Sequence, residues 1–199
     1  MVFCKRMLIF AAELNAKISM MIKRLYVNLM VALMASMATM NVKAQAADEN
    51  LDAKYAVNLV QPGEVAPDFK MNTIDGHPFQ LSKLKGKTVV LDFWASWCPD
   101  CRKDAPAVVK LYDTYHSDDV VFVGVSMDTD VAAWRKVAKQ FGIEYLQVSE
   151  LKKFHDTDIS KAYGVKWIPS IVVVDPEGKV ALATVVVDKL EQYLSQIKK

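Results

Sequence analysis

The sequence predicts an α/β fold with a mixed β-sheet. Apolar runs of strand length alternate with stretches of helical spacing, which is the pattern of helices packed on a sheet. The three strongest runs are 88–94, 120–127 and 170–174, and their β-branched residues favour strands that are buried on both faces. A turn signal at 175–178 predicts that the last strand runs antiparallel to the strand before it, so the sheet would contain both strand directions.

The other elements follow the same alternation. Asp75-Gly76 is a hairpin-turn signal and predicts a small N-terminal β-hairpin. Apolar spacing predicts further helices over 98–116, 128–141, 156–163 and 188–199, and further strands over 145–148 and 179–187. Asp128 or Thr129 would cap the second of these helices, and Pro106 predicts a kink in the first.

The N-terminal region differs in composition from the rest of the chain. Residues 1–46 contain six Lys/Arg and one acidic residue, whereas the remainder has 19 basic and 22 acidic residues and a formal net charge of −3. Lys23-Arg24, the uncharged run 29–40 and Ala44-Gln45-Ala46 are together typical of a secretory signal peptide cut after Ala46. The run is shorter than the ~20 residues of a spanning helix. An uncleaved segment that tethers the protein to a membrane is the alternative.

The signal peptide divides the 199-residue chain into three parts. Counted from Met20 it has the usual length of ~15–30 residues, so residues 1–19 are interpreted as an over-extended start. Residues 47–61 are expected to be a flexible leader. Residues 62–199 are expected to form one domain, with no basic face for nucleic acid. Export would place this domain in the periplasm or otherwise outside the cytoplasm, where disulfides persist.

Cys98 and Cys101 form a C-x-x-C pair, for which three kinds of chemistry are considered. A zinc site needs four ligands, but residues 47–199 have no second cysteine pair and their histidines are scattered, so no metal is expected. A purely structural disulfide across three residues closes too small a loop to stabilise much. A redox dithiol is favoured, because C-x-x-C beside a βαβ pattern is typical of thiol–disulfide exchange.

The position of the pair predicts a role for each sulfur. Cys98 falls in the first helical turn after a buried strand, where free N–H groups and the helix dipole stabilise a thiolate. Cys98 is therefore expected to be the exposed, attacking sulfur. Cys101, one turn later, would face inward and resolve the mixed disulfide. The Cys98–Cys101 disulfide would be the redox group, and no cofactor is expected.

Four segments resemble the thioredoxin superfamily. Residues 90–101, V-L-D-F-W-A-S-W-C-P-D-C, are similar to its active-site segment, and W-I-P-S at 167–170 is similar to the segment with its cis-proline. Residues 63–69, G-E-V-A-P-D-F, and the C-R-K-D-A-P sequence at 101–106 resemble the TlpA/ResA-like branch of exported thiol-disulfide oxidoreductases. The resemblance covers about 62–198. It implies a thioredoxin-like fold, with the hairpin as an N-terminal extension.

The resemblance also implies further site residues. Asp92 takes the place of a buried acid of thioredoxins and would accept the proton of Cys101, with a pKa raised by its apolar neighbours. Asp104 takes the place of an acid that follows the second cysteine by three residues, although the branch usually has the longer Glu there. The residues expected to bind a substrate polypeptide are Trp97, Pro99, Ile168 and Pro169.

The charges around the pair favour a reductase. Asp92, Asp100 and Asp104 place negative charge near the sulfurs, and Pro99 removes one N–H from the helix start. A strong oxidant needs the opposite, a well stabilised thiolate. The branch implies the same direction, since some of its members reduce apocytochrome cysteines in cytochrome c maturation. The expected partners are disulfide-bearing proteins and a membrane thiol donor, and a monomer would suffice.

Three other functions remain open. A disulfide oxidase or isomerase fits the same pair, because a proline after the first cysteine also occurs in oxidising relatives. The A-P-D-F sequence at 66–69 is shared with peroxiredoxins, but no Thr lies at the spacing before Cys98 that their nucleophile motif requires. A chaperone that used the cis-proline groove would not need either cysteine.

Overall fold

The computed structural model describes residues 20–32 and 51–197, in two compact units that divide after Asp48. In the first unit, residues 20–32 form a helix. This helix includes Lys23-Arg24 of the predicted signal peptide. The predicted cleavage site and most of the apolar run lie outside the described residues. Within the described ranges, none of the helices is both long and apolar enough to cross a membrane.

The second unit is built on a seven-stranded mixed sheet with the order β2-β1-β5-β4-β3-β6-β7. Its strands are β1 (Lys70–Thr73), β2 (Pro78–Gln80), β3 (Thr88–Trp94), β4 (Val120–Ser126), β5 (Leu146–Ser149), β6 (Ser170–Val174) and β7 (Val180–Thr184). The central strands β3, β4 and β5 are parallel, and β6 and β7 are antiparallel to their neighbours. The predicted α/β fold with a mixed sheet is confirmed.

The helices of this unit follow the strands as the alternation predicted. They are α1 (Pro99–Tyr115), α2 (Val131–Gln140), α3 (Asp158–Ala162) and α4 (Val187–Ile197), with 3₁₀ turns at Leu81–Leu84 and Phe154–Asp156. Pro106 lies inside α1. The helix α4 buries Leu190 and Leu194, so its apolar stripe faces the core as expected for an amphipathic closing helix.

Strand β3 lies at the centre of the core, and all of its residues are buried. One core cluster joins Val90 to residues of α1 and α4. Leu91 and Phe93 belong to a second cluster, which includes Ile159 of α3. Because side chains alternate along a strand, Asp92 shares a face with Val90, on the side of α1. The helix α1 carries the two cysteines, so this face positions the site.

The predicted hairpin is present, but it is not a separate extension. Strands β1 and β2 pair antiparallel with Asn72 opposite Pro78, and Gly76 supplies the positive φ of 87° in the turn. Strand β1 also pairs antiparallel with β5, with Asn72 opposite Ser149. The hairpin therefore completes one edge of the main sheet.

Two element boundaries differ from the prediction. Helix α2 begins at Val131, and its cap is Asp130 instead of Asp128 or Thr129, because the Asp130 carboxylate accepts hydrogen bonds from the first N–H groups of the helix. The last strand ends at Thr184, and the residues up to 187 turn into α4. Residues 180–187 form one mostly apolar run in the sequence, so no local pattern indicates that the strand ends at Thr184.

The structure also differs from the expected flexible leader at 47–61. Residues 51–55 are helical, and Ala56 and Leu59 are buried in the core. The Val60 N–H donates a hydrogen bond to the Tyr163 carbonyl oxygen at 3.1 Å. Residues 51–60, here called the N-terminal segment, thus pack against the domain.

Asp52 ties this segment to the end of β7. Its carboxylate accepts hydrogen bonds from the Thr184 hydroxyl at 2.8 Å and from the Val185 N–H at 2.8 Å. It also forms an ion pair of 2.7 Å with Lys189 at the start of α4. A single carboxylate therefore joins three parts of the fold: the N-terminal segment, the end of β7 and the start of α4.

Candidate active site

Cys98 and Cys101 lie where β3 passes into α1, at the carboxyl end of the parallel strands. Ligands commonly bind at this edge of α/β sheets. The two residues form a disulfide, with their Cα atoms 5.3 Å apart. Cys98 is the cap of α1, because its sulfur accepts a hydrogen bond of 3.1 Å from the Cys101 N–H. The helix start and the cysteine pair are therefore one structural feature.

The expectation that Cys98 is exposed is wrong for the disulfide-bonded pair. Cys98 is 4% exposed and Cys101 is 3% exposed, so the two sulfurs differ little in access to solvent. Ile168 lies against the pair, with its carbonyl oxygen 3.6 Å from the Cys98 sulfur. Solvent therefore contributes little to the stability of a thiolate at Cys98. The N–H groups at the start of α1 are the groups that would stabilise it.

The segment before β6 lies against the disulfide. The Ile168–Pro169 peptide bond is cis, which is the conformation that the resemblance implied. Ile168 is buried. Trp167, one residue earlier, is 42% exposed and stacks on Tyr55 of the N-terminal segment, with the ring centroids 4.6 Å apart.

The two tryptophans of W-A-S-W have different environments. Trp94 is buried, and its indole N–H donates a hydrogen bond of 2.9 Å to the Gln147 side chain. Trp97 is 55% exposed and directly precedes Cys98. Trp94 therefore packs in the core, whereas Trp97 forms an apolar surface beside the disulfide that is available to a partner.

Asp92 is a buried carboxyl group in the middle of β3. The Tyr145 hydroxyl donates a hydrogen bond to its Oδ2 atom at 2.8 Å. Burial raises the pKa of Asp92 to about 6, with the Tyr145 hydrogen bond opposing this change and the Asp104 charge adding to it. Asp92 therefore changes its protonation close to neutral pH, which suits a group that exchanges protons with a thiol.

A small cavity connects Asp92 with Cys101. Its volume is about 10 Å³, and Asp104 and Pro169 also line it. This volume is at the lower limit for one water molecule. Asp104 is half-buried on α1, and burial raises its pKa, partly opposed by the charge of Lys103. Strand β3 and helix α1 thus bring the two predicted acids to the second cysteine.

Asp128 holds the active-site loop, a role that the sequence did not reveal. It follows β4, is buried and accepts hydrogen bonds from the Ser96 N–H at 2.9 Å and the Ser96 hydroxyl at 2.5 Å. The Ser126 hydroxyl donates a third, at 2.8 Å. Because Ser96 is two residues before Cys98, this network fixes the loop that carries the pair. The sequence did contain one signal for this role: an acidic residue directly follows β4, the strand that runs parallel to β3.

Tyr145 and Gln147 were also missed, because their partners are distant in sequence. Tyr145 bonds Asp92, as described above. The Gln147 side chain accepts hydrogen bonds from the indoles of Trp94 and Trp134, at 2.9 and 3.4 Å. The Gln147 amide occupies the space where Gly124 would carry a Cβ atom. Both residues therefore support the site from the neighbouring strands.

The histidines do not converge on the cysteines or on one another. His77 lies in the turn before β2, His116 follows α1, and His155 lies in a 3₁₀ turn. Within residues 20–32 and 51–197, no group of three or more His, Cys, Asp or Glu side chains is arranged to hold a metal ion.

Known proteins resemble this chain in both sequence and fold. The Redoxin family matches residues 61–198. The thiol-disulfide oxidoreductase ResA of Bacillus subtilis (strain 168) is 30% identical over 142 residues, which cover 70% of this chain and 77% of the relative. A solution structure of a thiol:disulfide interchange protein from Bacteroides sp. is 30% identical with a TM-score of 0.62, covering 71% of this chain and 91% of the other. The thioredoxin domain of a thiol-disulfide oxidoreductase from Bacteroides vulgatus is 30% identical with a TM-score of 0.60, covering 68% and 99%.

The fold and the disulfide at the end of β3 define a protein of the thioredoxin superfamily. The chain belongs to the Redoxin family and is a thiol-disulfide oxidoreductase of the type that these relatives represent. The region that carries the match, 61–198, contains the whole seven-stranded sheet and the cysteine pair.

Proposed function

We propose that this oxidoreductase works outside the cytoplasm and reduces disulfides of other proteins through Cys98 and Cys101. A thiol donor at the membrane would reduce the pair again after each turnover. The resemblance to the TlpA/ResA-like branch suggests cytochrome c maturation as the process, with apocytochrome cysteines as the substrate. A cleaved signal peptide, or an uncleaved tether at the same position, would deliver the domain to that compartment.

The observation that carries the direction of electron flow is the negative charge around the pair. Asp100 lies in the first turn of α1, between the two cysteines. Asp92 and Asp104 line the cavity beside Cys101. Pro99 occupies the first helical position and has no N–H to donate to the Cys98 sulfur. These features disfavour a thiolate, and a dithiol whose thiolate is weakly stabilised is the better electron donor.

The reaction begins with the reduced pair. The Cys98 thiolate attacks one sulfur of the substrate disulfide, and the other substrate sulfur leaves as a thiolate that takes a proton from water. Cys101 then gives its proton to Asp92, through one water molecule in the cavity, and attacks the Cys98 sulfur. The second substrate sulfur leaves as a thiolate and takes a proton from water, and Asp92 later returns its own proton to water. Two electrons have passed to the substrate, and the pair has become the disulfide of this structure.

The substrate polypeptide binds between Trp97 and the cis-proline segment. Trp97 offers an exposed apolar ring beside Cys98. The Ile168 carbonyl, 3.6 Å from the Cys98 sulfur, can accept a hydrogen bond from an extended backbone, as in strand addition. Pro99, the first residue of α1, and Pro169, directly before β6, border the same site. An extended segment with its own cysteine at the centre fits this arrangement.

The reduction potential of the pair tests the direction. The full chain carrying Cys4→Ser would be equilibrated with a dithiothreitol or glutathione series, and the Cys98–Cys101 state would be read by alkylation and mass spectrometry. A reductase is expected near −250 mV or lower, since thioredoxin lies at ~−270 mV. A potential near −120 mV, the range of DsbA, would make the protein an oxidant and overturn the proposal.

A further inference from the structure

We propose that Tyr145 is a positioning residue for the redox reaction: its hydroxyl holds the Asp92 carboxylate beside Cys101, as the acceptor of the Cys101 proton. Nothing in the C-x-x-C pattern or in the local sequence around 145 assigns this role. The inference deepens the proposed function, because it requires that Asp92 is the group that takes the Cys101 proton.

Tyr145 reaches Asp92 across the sheet. It directly precedes β5, which β4 separates from β3. The β4 residue opposite Asp92 is Gly124, so β4 places no side chain between the two groups. The Tyr145 hydroxyl then lies 2.8 Å from Asp92 Oδ2, with both residues buried. This distance is typical of an O–H···O hydrogen bond.

Packing fixes the direction of this hydroxyl. The Tyr145 ring lies against Tyr112 of α1 and Phe122 of β4, with ring centroids 5.4 and 5.9 Å away. Phe122 and Tyr145 belong to the core cluster on the α1 side of the sheet, and the partly buried Tyr112 packs against it. Burial and the Asp92 carboxylate hold the pKa of Tyr145 well above its usual value near 10. The hydroxyl therefore remains a proton donor at every pH at which the protein would work.

The groups that face Asp92 act on it in opposite directions. Burial disfavours its charge, and Asp104 on α1 adds a negative charge. On α4, Asp188 acts on Asp104 in the same sense. Tyr145 is the donor that favours the carboxylate form, because a hydrogen bond to the charged state stabilises it. Without this donor, Asp92 would keep its proton to a higher pH and accept the Cys101 proton less readily.

The test compares Tyr145→Phe with Tyr112→Phe in the full chain carrying Cys4→Ser. Both changes remove one hydroxyl from the same aromatic cluster and keep the ring, but only Tyr145 donates to Asp92. The first readout is the titration of the Asp92 carboxyl carbon by ¹³C NMR. We expect its midpoint to rise by at least about one pH unit in Tyr145→Phe, as a hydrogen bond to a charged group implies. Tyr112→Phe should leave the midpoint unchanged.

The second readout is the step that Cys101 performs. The reduced protein is mixed with oxidised glutathione, and the decay of the Cys98–glutathione mixed disulfide is followed by acid quenching and mass spectrometry. If the midpoint rises from about 6 to about 7, the carboxylate fraction at pH 6 falls from about one half to about one tenth. Tyr145→Phe should therefore resolve the mixed disulfide about fivefold more slowly at pH 6, and at nearly the normal rate at pH 8.

Asp92→Asn separates this inference from the proposal on which it rests. If Asp92→Asn resolves the mixed disulfide at the normal rate, Asp92 is not the proton acceptor and that part of the proposed function fails. If Asp92→Asn is slow but Tyr145→Phe matches Tyr112→Phe in both readouts, the role of Tyr145 is overturned. The double variant Asp92→Asn/Tyr145→Phe should be no slower than Asp92→Asn alone, and additive slowing would also overturn it.

Discussion

Asp92 is a residue whose charge the fold disfavours. Its pKa is about 6 in the folded protein, compared with ~3.9 in an unfolded chain. Between these values the folded state still holds a proton that the unfolded state has released. The contribution of Asp92 to stability therefore falls as the pH rises from about 4 to about 6, and stays at its lower value above that.

Replacing Asp92 with asparagine should therefore stabilise the protein at neutral pH. The amide has the shape of the carboxyl group and can still accept the Tyr145 hydrogen bond, but it carries no charge to bury. A difference of about two pKa units corresponds to about 2–3 kcal/mol in the free energy of unfolding at pH 7. Urea unfolding of the oxidised protein at pH 4 and pH 7 measures this change. An equal gain at both pH values would contradict the explanation by ionisation.

Asp128 should contribute more to the free energy of unfolding than the nearby Asp130. Asp128→Ala leaves the Ser96 N–H and two serine hydroxyls without their acceptor in a buried region. We expect a loss of about 3 kcal/mol in the free energy of unfolding. Asp130→Ala removes only the exposed cap of α2, which is worth about 1 kcal/mol. Denaturant unfolding compares the two variants, and similar losses would show that the Asp128 network does not hold the active-site loop.

At the scale of elements, the strands β3, β4 and β6 and the helix α1 were predictable because their apolar patterns are local. The ends of elements were not. Strand β7 ends at Thr184, whose hydroxyl bonds Asp52, a residue 132 positions away in sequence. The N-terminal segment is mostly apolar in sequence, so its packing against the domain had a local signal. The role of Asp52 had none, because its partners Thr184 and Lys189 are brought to it only by the fold.

Asp52→Ala should loosen the N-terminal segment. The change removes hydrogen bonds to Thr184 and Val185 and the partly buried ion pair with Lys189. We expect a loss of about 2 kcal/mol in the free energy of unfolding, with faster amide hydrogen exchange over 51–60. Asp75→Ala is the matched control, because its ion pair with Arg135 is exposed on both sides and is worth at most about 0.5 kcal/mol. Equal effects of the two variants would be inconsistent with a fastening role for Asp52.

At the scale of the whole molecule, the fold class and the cysteine pair followed from the sequence, but the surroundings of the pair did so only in part. Asp92 and Pro169 stand in recognisable segments, so the resemblance identified them. Tyr145 and Gln147, at and in β5, and Asp128, just after β4, act on the site from other parts of the sheet. A sequence pattern does not show such contacts. The exposure of Cys98 was misjudged for the same reason, since Ile168 covers it from a loop 70 residues away.

The two edge strands of the sheet, β2 and β7, are protected against aggregation. A free edge strand is a template for adding other chains and so for aggregation. Here β2 has only three residues and starts with Pro78, which lacks an N–H group. At β7, the Val180 carbonyl oxygen accepts a hydrogen bond from the Gly63 N–H, and the Val180 N–H donates one to the Glu64 carbonyl oxygen, at 2.8 Å each. The Val185 N–H, just after the strand, donates to the Asp52 carboxylate. This thiol-disulfide oxidoreductase thus offers other polypeptide chains little edge on which to nucleate a joint β-aggregate.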